Sequence, residues 1–472
     1  MTTFIICLAL LVAAYFTYGR FLERQIKVDA KAPMPCNTRF DGVDYVPLPR
    51  WRVFLIQLLN IAGTGPIFGA VLGACFGPVA FIWITLGGIF FGAMHDYLSG
   101  MLFVRHNGLS VPEVVGEYLG GGMRQFMRVF SIILLILVGA VFLLSPAQLL
   151  SNMTSAVSMQ TFVWIILAYY FVATLLPIDK IVARLYPLFG AALLLMAVGL
   201  TGAMIVGDYA IPEMTTFKNF QLDPDKLPLF PTLFITIACG AISGFHATQS
   251  PLMARCVKSE LECRMVFYGA MISESIIALI WAAAAMCFFG DAGDLATMLS
   301  QHGGSAAWAV NEVSVGMLGT AGGVLAVLGV VVAPITSGDT AFRAARLIIA
   351  DILHIEQKTH IKRLAICVPL FLVGFGITLV DFDVVWRYFS WTNQTLATIV
   401  LWTITAYLVK INANRWIALI PALFMTFVCS SFIFVSNQFL GMGSTPLAYG
   451  LGAVAALAIG ALMHVKLGKK GD

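Results

Sequence analysis

The apolar run from Val53 to Cys75 is long enough to cross a bilayer, yet Gly63, Gly65 and Pro66 interrupt its middle. Proline removes an amide donor and collides with the preceding turn. Glycine loosens the backbone and adds no side chain to pack. Unwound backbone at membrane depth persists only where protein buries it or a watery cavity meets it. The stretch Asn60-Ile61-Ala62-Gly63-Thr64-Gly65-Pro66 therefore reads as a broken helix held open for a purpose. A second apolar run, Leu229 to Ser250, is interrupted by Gly240-Ala241-Ile242-Ser243-Gly244-Phe245-His246. Two such breaks in corresponding positions of two halves point to a transporter binding site.

The surrounding chain is built for lipid. Only 11% of its residues are charged and 60% are hydrophobic, against roughly 25% charge in ordinary soluble domains. Thirteen apolar segments are long enough to count as spans, the first at Thr3–Gly19 and the last at Thr445–Val465. The 28 Lys and Arg residues fall almost entirely in alternate loops. That places the N-terminus outside and the C-terminus in the cytoplasm. Thr3–Gly19 has no basic region before it and no clear cleavage site, so it reads as a retained signal-anchor. Nothing basic is clustered as a nucleic-acid face. The nine cysteines lack ribbon or CxxC spacing and read as small hydrophobes, without disulfides.

With the second span taken as core helix 1, the two broken spans become core helices 1 and 6, entering from opposite sides. The expected fold is an all-α integral membrane protein of about 13 transmembrane helices, a LeuT-type 5+5 inverted repeat. The expected divisions are 1–49 (extra helix and basic loop), 50–208 (first repeat), 209–410 (second, inverted repeat) and 411–472 (two further helices and a basic tail). Short helices are expected near Ser110–Leu119 and in the loops Asp208–Pro228 or Gly290–Glu312.

Candidate site residues follow from this plan. Ala62, Gly63, Thr64 and Gly65 would offer free amides and carbonyls, as half-helix ends do. The competing reading is a glycine face for close helix packing. Ser243, Gly244, Phe245 and His246 form the second half of the substrate site, His246 holding a carboxylate or carrying a proton. Asn393 and Gln394, deep in core helix 10, line the pathway or bond between helices, whereas Arg387 reads as a surface ion pair with Asp381 or Asp383. Thr336, Ser337, Asp339 and Thr340 supply hard oxygen ligands for a coupling cation, or a proton carrier at Asp339. Their alternative is the N-cap of a helix from Thr340 to Leu353. His95 and Asp96 read as part of a proton-linked or structural network completed by basic residues at the helix end. Glu274, well inside core helix 7, must be paired or protonated.

Asn60 to Pro66, His95-Asp96, Ser243 to His246, Ser337 to Arg343 and Asn393-Gln394-Thr395-Leu396-Ala397 occur in this order. Together they resemble the carbon starvation protein A family of bacterial inner-membrane proteins, in a short form. The resemblance implies a LeuT-type transporter related to the amino acid–polyamine–organocation group, importing peptides or pyruvate. The resulting expectation is a multi-pass transporter of the bacterial inner membrane that takes a small carboxylate or short peptide with a proton or sodium ion. It needs the lipid bilayer, no cofactor, no metal and no nucleic acid. Self-association through the outlying helices stays open. The alternatives are a metal-dependent membrane enzyme using His95, Asp96 and Glu274, and a nutrient sensor that does not transport.

Overall fold

A computed structural model describes residues 1–42, 44–154, 156–175, 178–357 and 359–468. Lys358, Lys469 and Lys470, among the basic residues that set the expected topology, lie outside them. The described residues are helical, without strands. In chain order the main helices are α1 (Thr2–Gln25), α2 (Arg50–Ile61), α3 (Gly65–Ala74), α4 (Val79–Arg105), α5 (Val111–Leu119), α6 (Gly121–Met153), α7 (Met159–Leu175) and α8 (Ile178–Val206). Then come α9 (229–236), α10 (Gly244–Ala254), α11 (Glu260–Phe289), α12 (Ala292–Gln301), α13 (Ala306–Leu325), α14 (Val332–Leu353), α15 (His360–Ile377), α16 (Phe382–Lys410), α17 (Trp416–Val435) and α18 (Pro446–Gly468).

Nine helical stretches among the described residues are long and apolar enough to cross a membrane, and the bent pair α2–α3 makes a tenth. Three segments counted as spans from sequence fall outside that criterion. α7 is short, α9 and α10 are the separate halves of the second break, and α16 carries buried Asn393 and Gln394. Exposed Leu195, Val198, Leu457 and Leu462 lie on the outer surface, where lipid-facing side chains belong.

Both breaks appear where glycine and proline put them. α2 ends as Ala62 leaves helical geometry (φ −82°, ψ 58°), and α3 starts at Gly65 after a bend of 48°. Pro66 sits in the first turn of α3, where its missing amide costs no helical hydrogen bond. It therefore starts a helix instead of kinking one. In the second break α9 stops at Thr236, Ser243 is extended, and α10 begins at Gly244.

Short helices lie at two of the expected places. α5 carries Pro112 in its first turn, and α12 is capped by Asp291, whose carboxylate accepts from Asp294 N at 2.9 Å. One expectation is corrected. Thr340 does not start a helix, because α14 runs unbroken from Val332 to Leu353, leaving Thr336 to Thr340 in its interior. α14 packs along α6, where Phe342 fills the space beside Gly139.

Candidate functional site

The two breaks meet. Gly65 lies so close to Cys239 that a Cβ there would overlap the cysteine side chain, and Gly63 is similarly pressed against the ring of Phe142. Phe142 in turn meets Phe245 edge-on, with ring centroids 5.7 Å apart. Gly244 leaves no room for a side chain against the backbone of Asn393 and Ala397. Close packing thus accounts for Gly63, Gly65 and Gly244, and the same contact holds the unwound segments together. Ala62 N donates to Leu58 O at 2.8 Å and Gly63 N to Ile61 O at 2.9 Å. The Asn60 Oδ1 and Thr64 Oγ1 atoms are buried with no partner among the described residues. The first break therefore keeps polar atoms available at its centre.

Beside the breaks lies a cluster of ionisable side chains without solvent exposure. His246 Nδ1 is 2.7 Å from Asp96 Oδ2, and His95 Nδ1 is 2.8 Å from Asp96 Oδ1. On its other edge His246 Nε2 faces Glu274 Oε2 at 3.3 Å. His95, Asp96, His246 and Glu274 are each fully buried. His95 reaches its sequence neighbour Asp96 directly. The completing partners are His246 and Glu274, however, and not the basic residues at the end of α4. Arg105 there is spent on Glu260 at 2.8 Å and on Tyr407 Oη at 2.6 Å.

Cys239 is the member that sequence reasoning missed. Its Sγ, His246 and Glu274 place one ligand atom each within 4.8 Å of one another. Cysteine, imidazole and carboxylate suit a zinc-like ion, and Asp96 on His246 Nδ1 is the outer-shell partner such a site uses. The set supplies three ligands, and the two imidazole edges are already turned to Asp96 and Glu274. That arrangement equally suits a proton passed between carboxylates through an imidazole. The signal was a cysteine four residues before Ser243, inside the same interrupted stretch.

The remaining candidates are more dispersed. Asn393 Oδ1 accepts from Phe245 N at 2.7 Å and Ser243 Oγ at 3.1 Å, so it caps α10 and bonds between helices. Gln394 Nε2 donates to Phe234 O at 2.9 Å, tying α16 to α9. On α14, Ser337 Oγ reaches Leu59 O of the first broken helix at 2.9 Å. The hydroxyls of Thr336 and Thr340 donate to Ala333 O and Ser337 O within their own helix. Asp339 pairs with Arg343 at 3.2 Å. Each of these side chains is thus engaged with the protein, and Thr336 and Ser337 share Ala333 O as acceptor.

A cavity of 270 Å³ sits against the last turn of α3 and against Thr232, Ile235 and Thr236 of α9, under α12, and is bounded by Trp386, Arg387 and Ser390 of α16. On the opposite side a cavity of 40 Å³ reaches Thr248 and Pro251 of α10, beside Arg255 and Asp351. Trp386, which lines the larger cavity, and Phe68 of α3 have ring centroids 6.5 Å apart.

A family model described as carbon starvation protein CstA matches residues 1–161 and 146–321 of the chain. An uncharacterized membrane protein of Haemophilus influenzae is 42% identical over 340 residues, covering 61% of this chain and 91% of that protein. The peptide transporter CstA of Escherichia coli is 24% identical over 600 residues, 96% of this chain and 85% of that one. The pyruvate/proton symporter BtsT of Escherichia coli is 28% identical over 335 residues, 58% of this chain. That match spans 47% of BtsT, about half its length. Among solved structures, MhsT in complex with L-phenylalanine superposes with a TM-score of 0.55 at 15% identity, over 89% of this chain and 99% of that one. The likeness identifies a LeuT-type fold, and the named relatives are transporters rather than enzymes.

Proposed function

The chain belongs to the carbon starvation protein CstA family, and we propose that it is a secondary transporter importing a small carboxylate such as pyruvate, or short peptides, by proton symport. One observation carries this reading: two broken helices meet where Gly65 faces Cys239, beside a fully buried His–carboxylate cluster. Ionisable groups at membrane depth are costly and mark ion or proton paths. Asp96, His246 and Glu274 join α4, α10 and α11, so a proton taken up there alters contacts among the helices that must move. Asn60 Oδ1 and Thr64 Oγ1, buried in the first break without a partner among the described residues, suit the substrate.

In this reading thirteen spans form a 5+5 inverted repeat with one helix before it and two after, the N-terminus outside and the C-terminus cytoplasmic. The cavity under α12 then faces outward and the smaller one inward, and the centre is closed to both. Substrate enters from the α12 side, α2–α4 and α9–α11 rock against the remaining helices, and release follows past Thr248. Transport depends on this alternation in all LeuT-type schemes.

The test is uptake of labelled pyruvate and of labelled trialanine into proteoliposomes, under an inward proton gradient, an inward sodium gradient, or neither. Accumulation under the proton gradient alone supports the reading. Accumulation driven by sodium overturns the proton assignment. Absence of uptake and exchange for both compounds overturns the substrate class.

A further inference from the structure

The 270 Å³ cavity under α12 contains hydrogen-bond donors with no use in the scheme above. Arg387, expected from sequence to sit in a surface ion pair, lines the cavity, and no hydrogen bond or ion pair within 4.0 Å engages it among the described residues. Trp386 and Ser390 also line it, and the Trp386 Nε1 and Ser390 Oγ atoms are buried without a partner among the described residues. A buried donor left unsatisfied is destabilising, so two beside one guanidinium call for an acceptor that the chain does not supply. Trp386 and Ser390 are one turn apart on α16 and share a face. Asp223 at the rim is neutralised by Lys226 at 2.8 Å. Asp383, one turn before Arg387, is the remaining acid and lies near Gly304, just after α12.

We infer that this cavity is an entry site for the carboxylate of the substrate. Arg387 supplies the charge, and the Trp386 indole N–H and the Ser390 hydroxyl supply two directed hydrogen bonds. Guanidinium is the side chain best matched to a carboxylate. The cavity volume lies near the lower end of small-molecule sites, roughly 300 Å³ upward, a size for a keto acid or the C-terminal end of a short peptide. Trp386, which lines the cavity, packs against Phe68 in the first turn of α3 with ring centroids 6.5 Å apart, so a carboxylate held there lies next to the helix that starts at the first break. Trp386 then has two duties, its ring packing against Phe68 and its N–H holding the anion. Asp383 is the internal competitor for Arg387 and keeps the vacant site from binding anions indiscriminately.

The inference rests on the transport reading for its orientation and substrate class. Its test compares Arg387→Gln, Arg387→Lys, Trp386→Phe and Ser390→Ala in the full chain in proteoliposomes. The probes are pyruvate, trialanine, and trialanine amide as competitor. Arg387→Gln is expected to raise KM roughly tenfold or more with kcat retained, and Arg387→Lys to recover part of that. Trp386→Phe and Ser390→Ala are each expected to raise KM about threefold or more. Trialanine amide should compete poorly against the wild type, and as well as trialanine against Arg387→Gln. If pyruvate alone depends on Arg387, the anchored group is a free keto acid, and if trialanine alone, a peptide terminus; both support the site. Unchanged KM in all four variants, with the wild type transporting, overturns this site and leaves the transport reading intact. A loss of kcat without change in KM also overturns it, as a structural effect. A wild type that neither transports nor binds either probe, the latter read by calorimetry, overturns both.

Discussion

Asp96 and His246 stand 150 residues apart in the chain, and their side chains meet at 2.7 Å with no solvent exposure on either. One carboxylate orders two imidazoles, since His95 takes its other oxygen at 2.8 Å. Breaking a buried ionic contact from one side costs about 3–5 kcal/mol. Asp96→Asn keeps the shape and removes the charge. We expect it to lower the unfolding temperature of the detergent-purified protein clearly and to abolish gradient-driven uptake. Wild-type stability in that variant would mean that the contact contributes little to folding.

Glu274 separates coupling from binding. Its Oε2 is 3.3 Å from His246 Nε2, and both its oxygens lack a well-formed hydrogen bond. Glu274→Gln holds a fixed, neutral side chain in that place. Proton-driven accumulation is expected to fall at least about tenfold, the effect of about 1.4 kcal/mol on a coupled step. Exchange of labelled for unlabelled substrate, which needs no net proton movement, is expected to continue. Loss of both activities would place Glu274 in substrate binding instead.

The contact between the breaks makes a compensation experiment possible. A methyl group on Gly65 would overlap Cys239. Gly65→Ala is therefore expected to cost about 1–3 kcal/mol by overpacking and to reduce uptake. Cys239→Gly removes the obstructing atoms, so the double variant should recover a good part of the stability. Equal damage in the single and double variants would show that Gly65 is needed for backbone freedom and not for proximity.

Asn393 is expected to behave as a cap and not as a substrate ligand. It accepts from both Ser243 Oγ and Phe245 N. Asn393→Ala leaves two buried donors without an acceptor, each costing about 1–3 kcal/mol. Thermal stability should fall while KM for the remaining folded fraction stays close to wild type. A selective rise in KM would return Asn393 to the substrate path.

Sequence exposed the breaks because glycine and proline act locally. Gly63, Gly65, Pro66 and Gly244 distort the helix wherever the rest of the chain goes, and both interruptions lie where those residues stand. The pairing of Asp96 with His246 and Glu274 was not legible. Each stood out alone as a polar residue in an apolar run, and nothing in a linear pattern says which distant helix turns toward which. Cys239 was overlooked because a lone cysteine in an apolar span resembles any small hydrophobe. Arg387 was misjudged for a related reason. Its neighbours Asp381 and Asp383 offered an ion pair at short sequence distance, while the cavity that it lines is assembled from α3, α9, α12 and α16.

Asp339 provides the sharpest choice between two coupling positions. As a set of residue types, Thr336, Ser337, Asp339 and Thr340 look suited to a small cation. In the folded chain their hydroxyls serve carbonyls: Thr336 and Thr340 within α14, and Ser337 across to Leu59 at 2.9 Å. Asp339 is joined to Arg343 at 3.2 Å, one helical turn away. A cation held here would have to displace that guanidinium, whereas the cluster of Asp96, His246 and Glu274 needs only a proton. Asp339→Asn removes the ion pair and should reduce the amount of folded protein. The ratio of uptake with a proton gradient to uptake without one does not depend on that amount. We expect the ratio to stay at the wild-type value in Asp339→Asn and to collapse toward one in Glu274→Gln. The reverse outcome would move the coupling site onto α14 and leave the buried histidine cluster as structure.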